Sequence, residues 1–142
     1  MKNEFTLTCM FPVKAESIYK AWLSSKGHAD MTGSPAKING AVNCSFTAWD
    51  GYIWGTFLEL EENKRILQAW RTGEFPEVAE DSRVEILLEE EIVSTEKRRL
   101  AMTYKTKLTL KHSNIPEGQA DSYKLGWEDF YFKPMKEYYG EK

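Results

Sequence analysis

The sequence predicts an α+β fold: one antiparallel sheet of about six to seven strands, covered on one face by a long C-terminal helix. Three observations carry this prediction. Most of the chain alternates apolar and polar residues with period two, in runs joined by short turns. One stretch near the end, Pro116 to Tyr139, changes to steps of three and four. That stretch is the only element long enough to cover a sheet, at about 1.5 Å of rise per residue.

The elements follow in order. Phe5, Leu7, Cys9 and Phe11 alternate with Glu4, Thr6, Thr8 and Met10, a half-buried strand that Pro12 stops. From Lys14 to Ser25, Ala15, Ile18, Tyr19, Trp22 and Leu23 form a helical stripe, with Gly27 as its expected stop. His28 to Asn39 has loop chemistry, with a short helical turn first and a short strand at its end, so one or two short helices follow the first strand.

Asn43 to Trp49 and Tyr52 to Leu60 read as a hairpin around a two-residue Asp50-Gly51 turn. Tyr52, Trp54, Thr56, Leu58 and Leu60 share one face of the second strand, and Gly55 marks a bulge or a close backbone approach. Arg65 to Arg71 is the next strand, with Ile66, Gln68 and Trp70 opposite Leu67, Ala69 and Arg71. Thr72 to Asp81 is a solvated acidic loop. Two further strands place Val84, Ile86, Leu88 and Ile92 inward, then Leu100, Met102, Tyr104, Leu108 and Leu110. Lys97-Arg98-Arg99 between them is a solvated turn. The final helix carries Ala120, Tyr123, Trp127, Phe130, Tyr131, Met135 and Tyr138 on its apolar stripe. Gly126 is expected at a close approach in its middle, and Pro134 should kink its end.

The 142 residues suit one domain, residues 1–142, and 42% hydrophobic content with 29% charge argues against disorder. A net charge of −3 without a basic stripe disfavours nucleic acid and anionic membrane surfaces. Cys9 and Cys44 lack zinc or redox spacing and read as small buried hydrophobes. The N-terminus has no signal-peptide pattern, and no run reaches the ~20 apolar residues of a membrane span. A cytoplasmic protein is expected.

The order of elements and several phrases resemble a known family. PVKAESIYKAWL (Pro12 to Leu23), TGSPA (Thr32 to Ala36), DGYIWGTFLEL around Gly55, RILQAWR (Arg65 to Arg71) and the final loop from His112 with Gly126-Trp127 span nearly the whole chain. Together they are similar to the SRPBCC or START-like superfamily, the helix-grip fold of the birch-pollen allergens. The resemblance is to the branch named for the activator of the heat-shock protein 90 ATPase. It implies a strongly curved sheet gripping the C-terminal helix around a cavity. Met31 stands where the family often has Trp, so the cavity shape should differ there. The eukaryotic co-chaperone carries an additional N-terminal domain without a counterpart in this sequence.

No GxGxxG, P-loop, HExxH or GxSxG motif is present, and no catalytic, cofactor or metal residue is assigned. His28 and His112 read as surface or capping histidines. Trp22, Trp54, Phe57, Trp70, Trp127, Phe130 and Tyr131 are candidates to line a cavity, with Met31 from the resemblance. Arg71 would reach inward only if Trp70 packs outward, and Tyr104 sits on an apolar strand face where its hydroxyl could orient a ligand. Three functions compete. The first is binding of a small hydrophobic molecule, lipid-like or aromatic. The second is a chaperone-assisting interaction module. The third is a cavity acid–base enzyme, which needs His28, His112, Arg71 or Tyr104 to converge; an enzyme is the less favoured reading. A homodimer through an edge strand near Ala36 to Asn39 is open.

Overall fold

The computed structural model describes residues 3–93 and 103–140. Lys97-Arg98-Arg99, Leu100 and Met102 lie outside the described residues. The strands are β1 (Phe5–Phe11), β2 (Lys37–Ile38), β3 (Ser45–Ala48), β4 (Ile53–Glu61), β5 (Arg65–Thr72), β6 (Ser82–Val93) and β7 (Thr103–Ser113). They form one seven-stranded antiparallel sheet in the order β1-β7-β6-β5-β4-β3-β2. Neighbours in sequence are neighbours in space from β2 to β7, as short turns require. The first strand closes the order by pairing with the last, Phe5 opposite His112 and Phe11 opposite Thr106. The sheet curves around the C-terminal helix.

The period-two pattern decides the faces. Ile66, Gln68, Trp70 and Thr72 point inward from β5; Val84, Ile86 and Leu88 do so from β6; Leu108, Leu110 and His112 do so from β7. Ile92 shares that parity yet is 59% exposed, because the β6–β7 hairpin runs past the edge of the core. At the same end, Glu90 turns its carboxylate to the start of the first helix and accepts a hydrogen bond from Ala15 N at 2.8 Å. The helix thereby gains an acceptor for a free N-terminal amide.

Two helices follow β1: α1 (Ala15–Trp22) and α2 (Ser25–Thr32). The second is a full eight-residue helix rather than a single turn. Ser24 caps it, its Oγ accepting from Gly27 N at 3.0 Å, and Gly33 ends it in the left-handed region at φ +84°. Gly27 therefore stops nothing. It lies inside α2 where a Cβ would sit 2.7 Å from Ala21 Cα, so it lets α2 pack against α1. Gly55 also marks a close approach, with its would-be Cβ 1.9 Å from Ala69 O and 3.0 Å from the Phe46 ring. The bulge in β4 falls just after it, between Phe57 and Glu59.

The C-terminal rod begins at Ala120, not Pro116, because Pro116 to Gln119 form a turn with Gly118 at φ +86°. It runs as α3 (Ala120–Trp127), a π-helical segment (Glu128–Phe132) and α4 (Lys133–Tyr138). Its buried stripe is Tyr123, Trp127, Tyr131 and Met135, a strict step of four. Four residues of α-helix turn about 40° beyond a full circle, so such a stripe would drift off the sheet. The π segment underwinds the rod and returns the stripe to it. Lys133 N reaches back five residues to Glu128 O, immediately before Pro134, which has no amide hydrogen to donate. Proline thus acts through a change of helical winding. Phe130 and Tyr138 fall off this stripe and are 56% and 50% exposed.

Candidate functional site

The expected two-residue hairpin turn is a wider loop, and that difference builds the site. Strand pairing ends at Ala48 and resumes at Ile53. Trp49, Asp50 and Gly51 all take positive φ, at +51°, +58° and +92°. The loop is tied at two further points, Asp50 N to Pro35 O at 3.0 Å and Gly73 N to Tyr52 O at 3.2 Å. Trp49 and Tyr52 are thereby released from the strands and lie at the rim of the sheet, facing the first half of the C-terminal rod.

Between this loop and the rod lies a cavity of about 260 Å³. Ile53 and Trp70 line it from the sheet; Trp49 and Tyr52 line it from the loop. The rod contributes Tyr123, Gly126, Trp127, Phe130 and Tyr131. Trp70, Trp127 and Tyr131 are each 3% exposed and form the deep wall. Tyr52 and Phe130, far more exposed, form the mouth. The Trp49 and Phe130 rings meet edge to face there, centroids 5.4 Å apart. Gly126 is no close approach: the nearest atom to a Cβ built there is the Phe130 ring at 3.9 Å. Its missing side chain leaves the cavity open. No lining residue is charged.

The deep wall is held by a continuous aromatic stack. Trp127 lies 5.6 Å from Trp70, 6.2 Å from Trp22 and 4.6 Å from Tyr131, centroid to centroid. Trp22, Trp127 and Tyr131 in this stack have their polar ends paired. Trp22 Nε1 donates to Gln68 Oε1 at 2.7 Å. Trp127 Nε1 donates to His112 Nδ1 at 3.0 Å, which puts the imidazole proton on Nε2, from where it is donated to Ser82 Oγ at 2.9 Å. Ser82 in turn donates to Trp70 O. His28 has the opposite tautomer: its Nδ1 donates to Trp22 O at 3.0 Å, and its Nε2 accepts from the Tyr131 hydroxyl at 2.7 Å. Tyr123 donates to Gln119 and pairs with Thr72.

Both histidines are thus buried and neutral, not surface or capping groups. Burial pushes the pKa of His28 down to about 4 and that of His112 down to about 3. Burial also holds the Tyr131 phenol well above its ordinary value. The Ser82–His112 pair has the spacing of a nucleophile and base, but its protons run the wrong way. His112 donates to the serine instead of accepting from it, and both residues have no exposed surface.

The predicted lining residues divide. Trp70, Trp127, Phe130 and Tyr131 meet in the cavity. Trp22 stands behind it, stacked on Trp127 and Tyr131. Phe57 and Met31 are fully packed in the core, Phe57 against Phe46. Trp54 does not line the cavity: it alternates with the buried Ile53 and Gly55 and emerges on the outer face, 39% exposed. Arg71 pairs with Trp54 across the outer face because Trp70 packs inward. Its guanidinium binds Asp81 Oδ1 at 2.8 Å, Ala79 O and Pro76 O, pinning the acidic loop. Tyr104 keeps its predicted parity but lies toward the far end of β7, where Lys14 Nζ sits 4.7 Å from its ring. His28, His112, Arg71 and Tyr104 do not converge. Trp49, Tyr52, Ile53 and Tyr123 were missed as lining residues. The tryptophan ahead of the Asp50-Gly51 turn signal was the one available clue, since a bulky ring at a turn must cover something.

Residues 12–140 match the family described as Activator of Hsp90 ATPase homolog 1-like protein. An uncharacterized protein of Schizosaccharomyces pombe is 25% identical over 130 residues, covering 92% of this chain and 35% of its own length. The activator of 90 kDa heat shock protein ATPase homolog 2 of Mus musculus is 24% identical over 130 residues, covering 92% of this chain and 36% of its own. The chain thus spans little more than a third of these relatives. The crystal structure of an HSP90 activator from Plasmodium falciparum shares the fold with a TM-score of 0.70 and 24% identity, over 92% of this chain and 90% of that one. By the match of residues 12–140 and the helix-grip architecture, this chain belongs to the family of Activator of Hsp90 ATPase homolog 1-like proteins.

Proposed function

We propose that this protein binds a small, uncharged hydrophobic molecule in the cavity between the β3–β4 loop, β5 and the C-terminal rod. The observation that carries the reading is the cavity itself: about 260 Å³, walled by aromatic rings, without a charged lining residue. Ligand sites are concave and mainly apolar with few polar groups, and this one fits that description. Native mass spectrometry of protein purified from its own host tests the reading directly; a retained small molecule is expected. A plugged variant provides the control. Gly126→Leu places a side chain into the open space beside Phe130 and should weaken binding of a naphthalene-type probe at least about tenfold while the fold persists. Equal binding by wild type and Gly126→Leu would place the ligand elsewhere.

A second reading has its own support. The family and the mouse relative carry the name of an activator of the 90 kDa heat-shock protein ATPase. On that basis the chain would act as a chaperone-assisting module. Adding it to the purified chaperone should raise the ATPase rate; an unchanged rate together with no co-purification would end this reading.

A further inference from the structure

The sheet has two edges, and the chain treats them differently. At one edge, β2 is only two residues long, and Ser25 at the start of α2 closes it. Ile38 N donates to Ser25 Oγ at 2.8 Å, and Ser25 Oγ donates to Ile38 O at 3.3 Å. Ser24 bridges Asn39 beside it. The strand near Ala36 to Asn39 is therefore closed to pairing with another chain. At the other edge lies β1, seven residues long. Its register with β7 runs unbroken from Phe5 opposite His112 to Phe11 opposite Thr106, so no bulge twists it away. Strand alternation fixes which of its backbone groups point outward. Asn3 O accepts from Ile115 N, so odd-numbered residues of β1 turn their N–H and C=O toward β7. The ladder followed from the opposite side agrees. Leu88 N donates to Lys64 O, which turns even residues of β6 to β5, odd residues of β6 to β7, and even residues of β7 to β1. The N–H and C=O groups of Thr6, Thr8 and Met10 thus face away from β7. Among the described residues they have no backbone partner, and Met10 O takes only a long contact from Cys9 Sγ at 4.0 Å. The side chains of Thr6, Thr8 and Met10 are exposed. Phe5 to Phe11 holds neither a charge nor a proline, the usual guards of a free edge.

We propose that β1 is the contact surface for a second copy of this chain, the two β1 strands pairing antiparallel about a two-fold axis at Thr8. In that register Thr8 lies opposite the partner's Thr8, and Thr6 lies opposite the partner's Met10. Every outward N–H and C=O of Thr6, Thr8 and Met10 then finds a complement, and no other two-fold register uses all three residues. The sequence suits self-pairing. Phe5 meets the partner's Phe11, Leu7 meets the partner's Cys9, and no like charges are opposed along the strand. The contact is isologous, and β2 is closed by Ser25, so assembly stops at two copies instead of growing into a filament.

Sedimentation velocity over a concentration series tests the assembly. A strand-edge contact is small, so a monomer–dimer equilibrium with a dissociation constant on the order of 10–100 μM is expected. Thr8→Lys and Thr8→Glu each place like charges face to face at the axis, on an exposed side chain that β7 does not use. Each should weaken dimerisation at least about fivefold, and an equimolar mixture of the two should restore it as a heterodimer. Hydrogen exchange on wild type gives a readout independent of any variant. The amides of Thr6, Thr8 and Met10 should be protected at high concentration and lose that protection on dilution. Those of Phe5, Leu7 and Cys9, bonded to β7, should stay protected throughout. A wild type that remains monomeric to about 1 mM, well above that range, overturns the proposal. So does a dimer that both variants leave intact, or one in which dilution does not change exchange at Thr6, Thr8 and Met10.

Discussion

The two halves of the C-terminal rod meet the sheet differently. The second half is closed. Met135 is fully buried, and Phe132 and Tyr139 pack edge to face on Phe11 at 6.4 and 6.0 Å. Helices α1 and α2 stand beside it, with His28 bridging α2 to Tyr131. The first half is open. It presents equally large rings, Tyr123 and Trp127, yet a cavity remains beside them. The difference lies in what stands opposite. Two helices cover the closed half, whereas only the four-residue loop between β3 and β4 faces the open half, and Gly126 supplies no side chain to fill the gap. Aromatic enrichment therefore does not itself make a pocket; a pocket forms where aromatic residues lack a covering element.

The largest test of this contrast is Trp127→Ala. It removes the centre of the stack and leaves His112 Nδ1 without its donor, so a loss of about 3–5 kcal/mol is expected in urea unfolding. Near-wild-type stability would show that the rod does not pack as described. In the closed half, Met135→Ala should cost about 2–4 kcal/mol without changing probe binding, since Met135 lines no part of the cavity. Equal loss of binding there would mean that the halves are not independent.

Acid should act on both halves through the buried histidines. Each is neutral when folded and takes up a proton near pH 6.5 when unfolded, so the unfolded state binds more protons as pH falls. Their stabilisation is complete above about pH 6.5 and is lost on acidification toward pH 4 for His28 and pH 3 for His112. The slope is about 1.4 kcal/mol per pH unit for each histidine, or about 2 kcal/mol each between pH 6.5 and 5. Urea midpoints against pH measure it, and His28→Gln should remove about half of the slope. A flat profile across this range would contradict the burial of both rings. The smallest effect is expected at the mouth. Phe130→Ala, at a half-exposed position, should change stability by no more than about 1 kcal/mol but speed probe release, read by stopped-flow fluorescence.

Much of this was legible beforehand. Period two placed Ile66, Trp70, Val84, Ile86, Leu108 and Leu110 inward, because side-chain direction in a strand alternates whatever lies opposite. Steps of three and four placed Tyr123, Trp127, Tyr131 and Met135 on one helix face for the same local reason. The phrases around Pro12, Thr32 and Gly55 identified the family. Phe130 illustrates the limit: it reads as part of the stripe, but a π segment that no local pattern announced set the winding and left it at the mouth. The histidines illustrate another. A residue after a glycine and one at a strand end both look exposed, and only the packing of α2 on the rod, and of Trp127 on β7, buries them.

The sequence by itself determined the strands, the covering helix and the apolar faces, since these follow from backbone geometry acting over a few residues. Tertiary structure alone decided where the cavity lies and which rings line it. That outcome depends on three left-handed residues from Trp49 to Gly51, on the loop ties to Pro35 and Gly73, and on helical winding ahead of Pro134. Each sets a distance between segments far apart in the chain, and such distances carry no local periodicity to read.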